Sequence, residues 1–161
     1  MPFKIVGVIG GSTADAKLFR MAEEVGAELA RRGAAIVCGG LTGVMEGVCK
    51  GARSQGGLTI GIIPTDEKKD ANPYVQIPIV TGMGMARNVM LVKTSDVLIA
   101  IGGEFGTLSE IAVALNLGKI VIGLNTWKLE KAHDHAIPNL IQTDDPKNAV
   151  DLALMAISAK S

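Results

Sequence analysis

The sequence predicts a doubly wound parallel α/β sheet of about six to seven strands with helices on both faces, in a single domain over residues 1–161. Three observations carry this expectation. Short apolar runs alternate with segments of helical periodicity along the whole chain. Those runs are apolar at consecutive positions, as strands buried on both faces are. Three of them end in paired glycines, at Gly10-Gly11, Gly39-Gly40 and Gly102-Gly103.

Residues 4–9 form the first apolar run, which Gly10, Gly11 and Ser12 stop. The helix after it places Leu18, Ala22, Val25 and Leu29 on one face. Arg31 and Arg32 suit the negative end of its dipole, and Gly33 the left-handed position beyond it. Residues 35–38 are the second strand, and Thr42 is the expected N-cap of a helix running to about Ser54. The third strand covers 58–63 and is closed by Pro64; the charged, proline-bearing stretch 65–74 reads as an irregular surface loop, its charges at 66–70 solvated. Residues 77–80 are a short strand, and Gly82-Met83-Gly84 leads into a helix containing Arg87.

The fifth strand is 97–101, followed by Gly102-Gly103 and a helix expected over 108–117 that stops at Gly118. The sixth is 120–124. Residues 127–138 read as a polar loop, 140–142 as a weak strand and 146–159 as the last helix. Strands that alternate with helices and connect by right-handed crossovers make the architecture Rossmann-like.

Composition narrows the function. Sixteen Lys and Arg balance sixteen Asp and Glu, so net charge attracts neither nucleic acid nor an anionic membrane. Aromatic residues at 3% leave few platforms on which single-stranded bases could stack. No apolar run reaches the length of a membrane span, and the start lacks a signal peptide's pattern. Cys38 and Cys49, without CxxC spacing, read as buried free thiols, which suits the cytoplasm. A chain of this length needs no cofactor to fold.

In such a sheet all strand ends that carry glycine pairs lie on one edge, the carboxyl edge. Glycine there lets the backbone approach a ligand, and the following helix offers unpaired N–H groups to an anion. The candidate phosphate-binding residues are therefore Gly10, Gly11 and Ser12, then Gly39, Gly40, Thr42 and Gly43, then Gly102, Gly103, Gly106 and Thr107. Tight turns alone would account for any one pair; three on one edge favour a binding rim. No turn has the G-x-x-x-x-G-K-[ST] pattern of a triphosphate loop, and Gly7, Gly10 and Gly11 lack the G-x-G-x-x-G spacing of a dinucleotide site. Thr107-Leu108-Ser109-Glu110 also fits a capping box, with Thr107 as N-cap and Glu110 reaching back. Spacing alone leaves cap and cradle both open.

The segment Gly102-Gly103-Glu104-Phe105-Gly106-Thr107-Leu108-Ser109-Glu110 resembles the PGGxGTxxE motif of the LOG-type phosphoribohydrolases, cytokinin-activating enzymes often labelled lysine decarboxylases. Gly39-Gly40-Leu41-Thr42-Gly43-Val44-Met45 through Gly61-Ile62-Ile63-Pro64 is similar to that family's second glycine turn and the strand after it. Met85-Ala86-Arg87-Asn88 falls where the family has M-x-x-R-K. These blocks span most of residues 5–124. The chain's short length resembles a branch of the same superfamily that includes molybdenum-cofactor carrier proteins. Ile101 stands in place of the motif's proline and Asn88 in place of its lysine.

The resemblance implies two functions. In a carrier, the glycine turns hold a nucleotide or the molybdenum cofactor by its phosphate and no bond is cut. In a phosphoribohydrolase, the N-glycosidic bond of a nucleoside 5′-monophosphate is cleaved: Glu110 stabilises the oxocarbenium-like sugar or activates water, and Arg87 holds substrate or leaving base. Replacing a lysine charge by the Asn88 dipole weakens the second reading. Arg87 and Glu110 also fit a plain salt bridge at the cleft rim. The resemblance further implies a homodimer or homotetramer, and apolar residues on more than one face of 86–93 point the same way. Met83 and Met85 suit either the pocket or packing. His133-Asp134-His135 lacks further ligands at useful spacing, so no metal site is assigned.

Overall fold

A computed structural model describes residues 2–133 and 136–161. Its strands are β1 (Ile5–Gly10), β2 (Ala35–Cys38), β3 (Thr59–Ile63), β4 (Ile77–Val80), β5 (Val97–Ile101), β6 (Val121–Leu124) and β7 (Leu140–Thr143). The helices are α1 (Ala16–Arg31), α2 (Val44–Ser54), α3 (Arg87–Thr94), α4 (Phe105–Asn116) and α5 (Pro146–Ser158), and short 3-10 turns occupy Lys68–Asp70 and Gly84–Ala86. The strands form one sheet in the order β4-β3-β2-β1-β5-β6-β7, every neighbouring pair parallel. This is the expected Rossmann-like α/β fold.

Alternation along the strands divides the core in two. Val6, Val8, Ile36, Cys38, Ile99 and Ile101 pack with α1, α2 and α5 residues such as Val25, Val48 and Val150. Ile9, Val37, Ile62, Leu98 and Ala100 face α3 and α4 through Leu91, Val92, Ile111 and Ala114. Each layer buries branched aliphatic side chains, worth about 1.5–3 kcal/mol apiece relative to exposure.

The crossing of α1 and α2 is unusually close. A methyl at Gly51 would overlap the Glu23 carbonyl, lying 2.7 Å from its carbon, and one at Gly26 would lie 2.9 Å from the Val48 carbonyl carbon. Glycine here serves backbone-to-backbone approach between helices.

Two helix starts differ from expectation. Thr42 does not cap α2: the N-cap is Gly43, with φ +67°, and the Thr42 hydroxyl donates instead to the Ser12 carbonyl at 2.7 Å. The Val44 amide donates to the Gly11 carbonyl at 3.0 Å, so the first glycine turn satisfies the end of α2. The capping box is also absent. α4 begins three residues earlier, at Phe105, and Leu108 N–H donates to the Glu104 carbonyl at 3.0 Å. Thr107 and Glu110 therefore lie inside the helix, both buried, on the face turned toward the sheet edge.

Candidate ligand-binding site

The chain winds outward from β1 through β2, β3 and β4, then returns to β5 on the other side of β1. A crevice opens at the carboxyl ends of strands where the order reverses so. A cavity of about 350 Å³ lies there, its walls made by the β1–α1 turn, the β2–α2 turn, the start of α3 and the first turns of α4. Its size suits a nucleotide-sized molecule.

Two runs of backbone amide line it. Gly106 and Thr107 line it from the first turn of α4, and their N–H groups, like that of Phe105 beside them, donate to no described residue. The same holds for Ser12 and Thr13 in the β1–α1 turn. By contrast, α1 and α5 are closed by the carboxylates of Asp15 and Asp145, which accept from Leu18 and Asn148 at 2.8 Å. The start of α4 has no side-chain cap, so its positive dipole end faces the cavity.

Arg87 and Glu110 form the inner wall. Arg87 is 8% exposed and Glu110 6%. The Arg87 Nη1 donates to the Asn88 Oδ1, while its Nε–H is buried without a partner. Glu110 accepts no hydrogen bond from any described residue, and no ion pair within 4.0 Å joins it to Arg87. The salt bridge at the rim is thus replaced by two buried groups that interact across a gap. Burial raises the Glu110 carboxyl from 4.5 to about 7, and the Arg87 charge only partly opposes it. Burial likewise lowers Arg87, against the raising effect of Glu110. Each group is left with unused hydrogen-bonding capacity, and both residues line the cavity.

Of the expected residues, Gly10, Gly11, Ser12, Gly39, Gly106, Thr107, Arg87 and Glu110 converge on this cavity. Gly40, Thr42, Gly43, Gly102 and Gly103 do not line it and hold its walls in place. A Cβ at Gly40 would lie 3.2 Å from Gly61 Cα, and one at Gly102 2.9 Å from the Leu18 side chain; both residues have positive φ. At Gly43 a Cβ would enter the Ser12 backbone, and at Gly103 it would enter the Thr107 side chain. Gly106 differs, because a Cβ there meets nothing within 4 Å and would point into free space.

Thr13, Leu41, Met45, Pro64, Gly84 and Glu104 also line the cavity and were not anticipated. Most adjoin the glycine turns, but only the fold decides which flanking side chains turn inward. Met85, considered for either role, is a lining residue and remains 69% exposed. Asp134 and His135 lie outside the described residues; among those described, no group of three or more His, Cys, Asp and Glu could hold a metal ion. No described helix is long and apolar enough to cross a membrane.

Residues 3–150 match the SLOG cluster4 family. The chain belongs to that family. Among solved structures, this SLOG cluster4 protein is similar to the molybdenum cofactor binding protein of Rippkaea orientalis, at 35% identity and a TM-score of 0.86 over 98% of this chain and 99% of that one. It is also similar to the molybdenum cofactor carrier protein of Chlamydomonas reinhardtii, at 31% identity and a TM-score of 0.82 over 96% and 98%. A cytokinin riboside 5′-monophosphate phosphoribohydrolase of Mycobacterium tuberculosis is 36% identical over 103 residues, which are 62% of this chain and 55% of that enzyme. Against the PGGxGTxxE motif, the SLOG cluster4 protein has two residues, Glu104 and Phe105, between Gly103 and Gly106. Phe105 is 75% exposed, its ring 5.7 Å from that of Trp127, so the extra residue extends the turn outward.

Proposed function

We propose that the protein binds a phosphorylated small molecule of the nucleotide or molybdopterin class and carries it unchanged. The observation that bears most weight is the uncapped start of α4, where the free amides of Gly106 and Thr107 share a cavity with those of Ser12 and Thr13. Together they would hold the phosphate. The Arg87 guanidinium, which lines the same cavity, would add a positive charge beside the ligand. The likeness to the molybdenum cofactor proteins supports the cofactor as cargo. Asn88, neutral and engaged by Arg87, favours binding over cleavage because it brings no second cation to the inner wall.

One observation favours the second reading, phosphoribohydrolase activity. Glu110 stands free of hydrogen-bond partners at the cavity wall, where a carboxylate could stabilise a sugar cation, and a phosphoribohydrolase is a 36% identical relative.

Mass spectrometry of small molecules released from natively purified protein, with titration by molybdenum cofactor and by AMP, tests both. Carriage gives saturable binding and intact ligand; hydrolysis gives ribose 5-phosphate from AMP, lost in Glu110→Gln. In Gly106→Leu the added Cβ meets nothing within 4 Å and the side chain would occupy space at the cavity that the ligand needs, so affinity is expected to fall about a hundredfold or more, roughly 3 kcal/mol, with the fold retained. Unaltered affinity in that variant would discard the cradle.

The protein is further proposed to act in the cytoplasm as a homodimer or homotetramer. Ile77 and Ile79 on edge strand β4 pair with Ile60 and Ile62, so they share the sheet face that α3 covers only in part. They are exposed together with Met83, Met85, Val89 and Met90, and no charged residue occurs from Val75 through Ala86. A patch of this kind is usual where copies meet. Light scattering of wild type and of Ile79→Lys checks this: the variant is expected to dissociate, and a wild-type monomer would refute the assembly.

A further inference from the structure

The chain's two cysteines meet in the core beneath the cavity. Cys38 ends β2 and Cys49 lies on α2, with their sulfurs 3.5 Å apart and both side chains fully buried. Cys38 stands directly before Gly39, which lines the cavity and packs on Arg87: a Cβ on Gly39 would lie 2.8 Å from the Arg87 Nη2 and 2.7 Å from the Met45 Sδ. The Cys38 sulfur also holds the turn itself, accepting from the Gly40 N–H at 3.3 Å.

We infer that Cys38 and Cys49 are a redox modification site, closing to a disulfide under hydroperoxide and thereby reshaping the Gly39-Gly40 wall of the cavity.

The chemistry balances with the peroxide as sole oxidant. The Cys38 thiolate attacks the terminal peroxide oxygen; an S–O bond forms, the O–O bond breaks, and the departing oxygen takes a proton to become alcohol or water. The Cys49 thiolate then attacks the Cys38 sulfur. The S–S bond forms, the S–O bond breaks, and hydroxide leaves as water with the Cys49 proton. Two thiols lose two electrons and the peroxide gains them.

The surroundings assign the order of attack. The contact with the Cys49 sulfur, and after it the hydrogen bond from the Gly40 N–H, holds Cys38 below its ordinary range despite burial, and the Arg87 charge adds to this. The same contact with Cys38, and then burial, pushes Cys49 up. Cys38 is therefore the nucleophile and Cys49 the resolving thiol. Cys38 adjoins Gly39 in the chain and lies against Met45, both of which line the cavity by which a small peroxide would approach.

Closure must bring the sulfurs from 3.5 Å to a bond of about 2.05 Å. α2 gives little, because Gly26 and Gly51 leave no space between it and α1. The shift thus falls on Cys38, whose sulfur loses its fit to the Gly40 amide and moves the residue against which Arg87 rests. This coupling to ligand rests on the cavity being the binding site; the disulfide itself does not.

The test uses the folded wild-type chain and hydrogen peroxide. Alkylation after quenching, followed by mass spectrometry, is expected to give protein lighter by two hydrogens with a Cys38–Cys49 cross-linked peptide. Cys49→Ser should instead yield a sulfenic acid at Cys38 that a dimedone probe traps. Amide spectra of the oxidised protein should show Gly39 and Gly40 displaced and the α5 amides unmoved, whatever the ligand proves to be. AMP affinity should fall about tenfold on oxidation and recover with a dithiol reductant. Over-oxidation of separate thiols, or reaction only in urea that unfolds the chain, overturns the site. A disulfide that leaves Gly39 and Gly40 unshifted overturns the reshaping, and shifted amides with unaltered AMP affinity would overturn the cavity as the ligand site.

Discussion

Gly51→Ala is expected to lower stability by about 3 kcal/mol or more, and Gly26→Ala similarly, although helix propensity alone argues the opposite. Alanine in a helix interior is favoured over glycine by about 1 kcal/mol, so an isolated α2 would gain from the change. In the fold, the new methyl would overlap the Glu23 carbonyl, and at Gly26 it would lie 3.0 Å from the Ala52 nitrogen as well as against Val48. These obstacles are backbone, which no rotamer change relieves, so the two helices must separate. Overpacking typically costs about 1–3 kcal/mol, and forcing helices apart sits at the top of that range. For a domain of this size the melting temperature should fall by about 6–12 °C. Gly33→Ala is the internal comparison: its φ is +73° but nothing lies within 4 Å, so only backbone strain of about 1 kcal/mol applies. Equal shifts at Gly33 and Gly51 would show that the helix crossing is looser than described.

Glu110→Gln should stabilise the ligand-free protein at pH 8 and leave it nearly unchanged at pH 4. The carboxyl has its pKa raised by burial to about 7 in the fold, against 4.5 ordinarily. Between those values the folded state keeps a proton that the unfolded chain has lost, so stability declines as pH rises through about 4.5 to 7. Above the upper value both states are ionised and the full cost of a buried carboxylate is present, on the order of 3 kcal/mol. Glutamine reproduces the neutral carboxyl and removes that dependence. Thermal unfolding at the two pH values measures it. A variant as unstable as wild type at pH 8 would mean that Glu110 is hydrated or more firmly paired with Arg87. The gain in stability should accompany a loss of function, as is common where a site holds a group at a cost.

The strands were the most legible part of the fold. Ala35–Cys38, Ile77–Val80 and Val97–Ile101 occupy the residues their apolar runs assign, α1 ends where Arg31, Arg32 and Gly33 place its end, and α5 begins and ends within one residue of expectation. Buried parallel strands write their own signal, since both faces demand apolar side chains. The helix starts at the site were misread for a consistent reason. Thr42 and Thr107 have the chemistry of N-caps, but Thr42 is drawn to the Ser12 carbonyl from another turn, and α4 extends to Phe105 so that Thr107 packs over Gly103. Local capping rules assume that the nearest backbone wins, and at Thr42 a distant one does.

The sequence alone determined a parallel α/β sheet, the edge on which its glycine turns gather, and Arg87 and Glu110 as the charged pair to watch. The sheet and its glycine edge follow from interactions of short range, namely strand hydropathy, chain reversal and the handedness of crossovers, whereas the charged pair follows from the resemblance to the phosphoribohydrolase motifs. The tertiary structure decided which glycines face the cavity and which merely admit a neighbour. It also decided that Arg87 and Glu110 are buried without pairing, and that Cys38 meets Cys49. Such outcomes depend on distances between segments far apart in the chain, which the packing of α2 against α1 and of both on the sheet fixes.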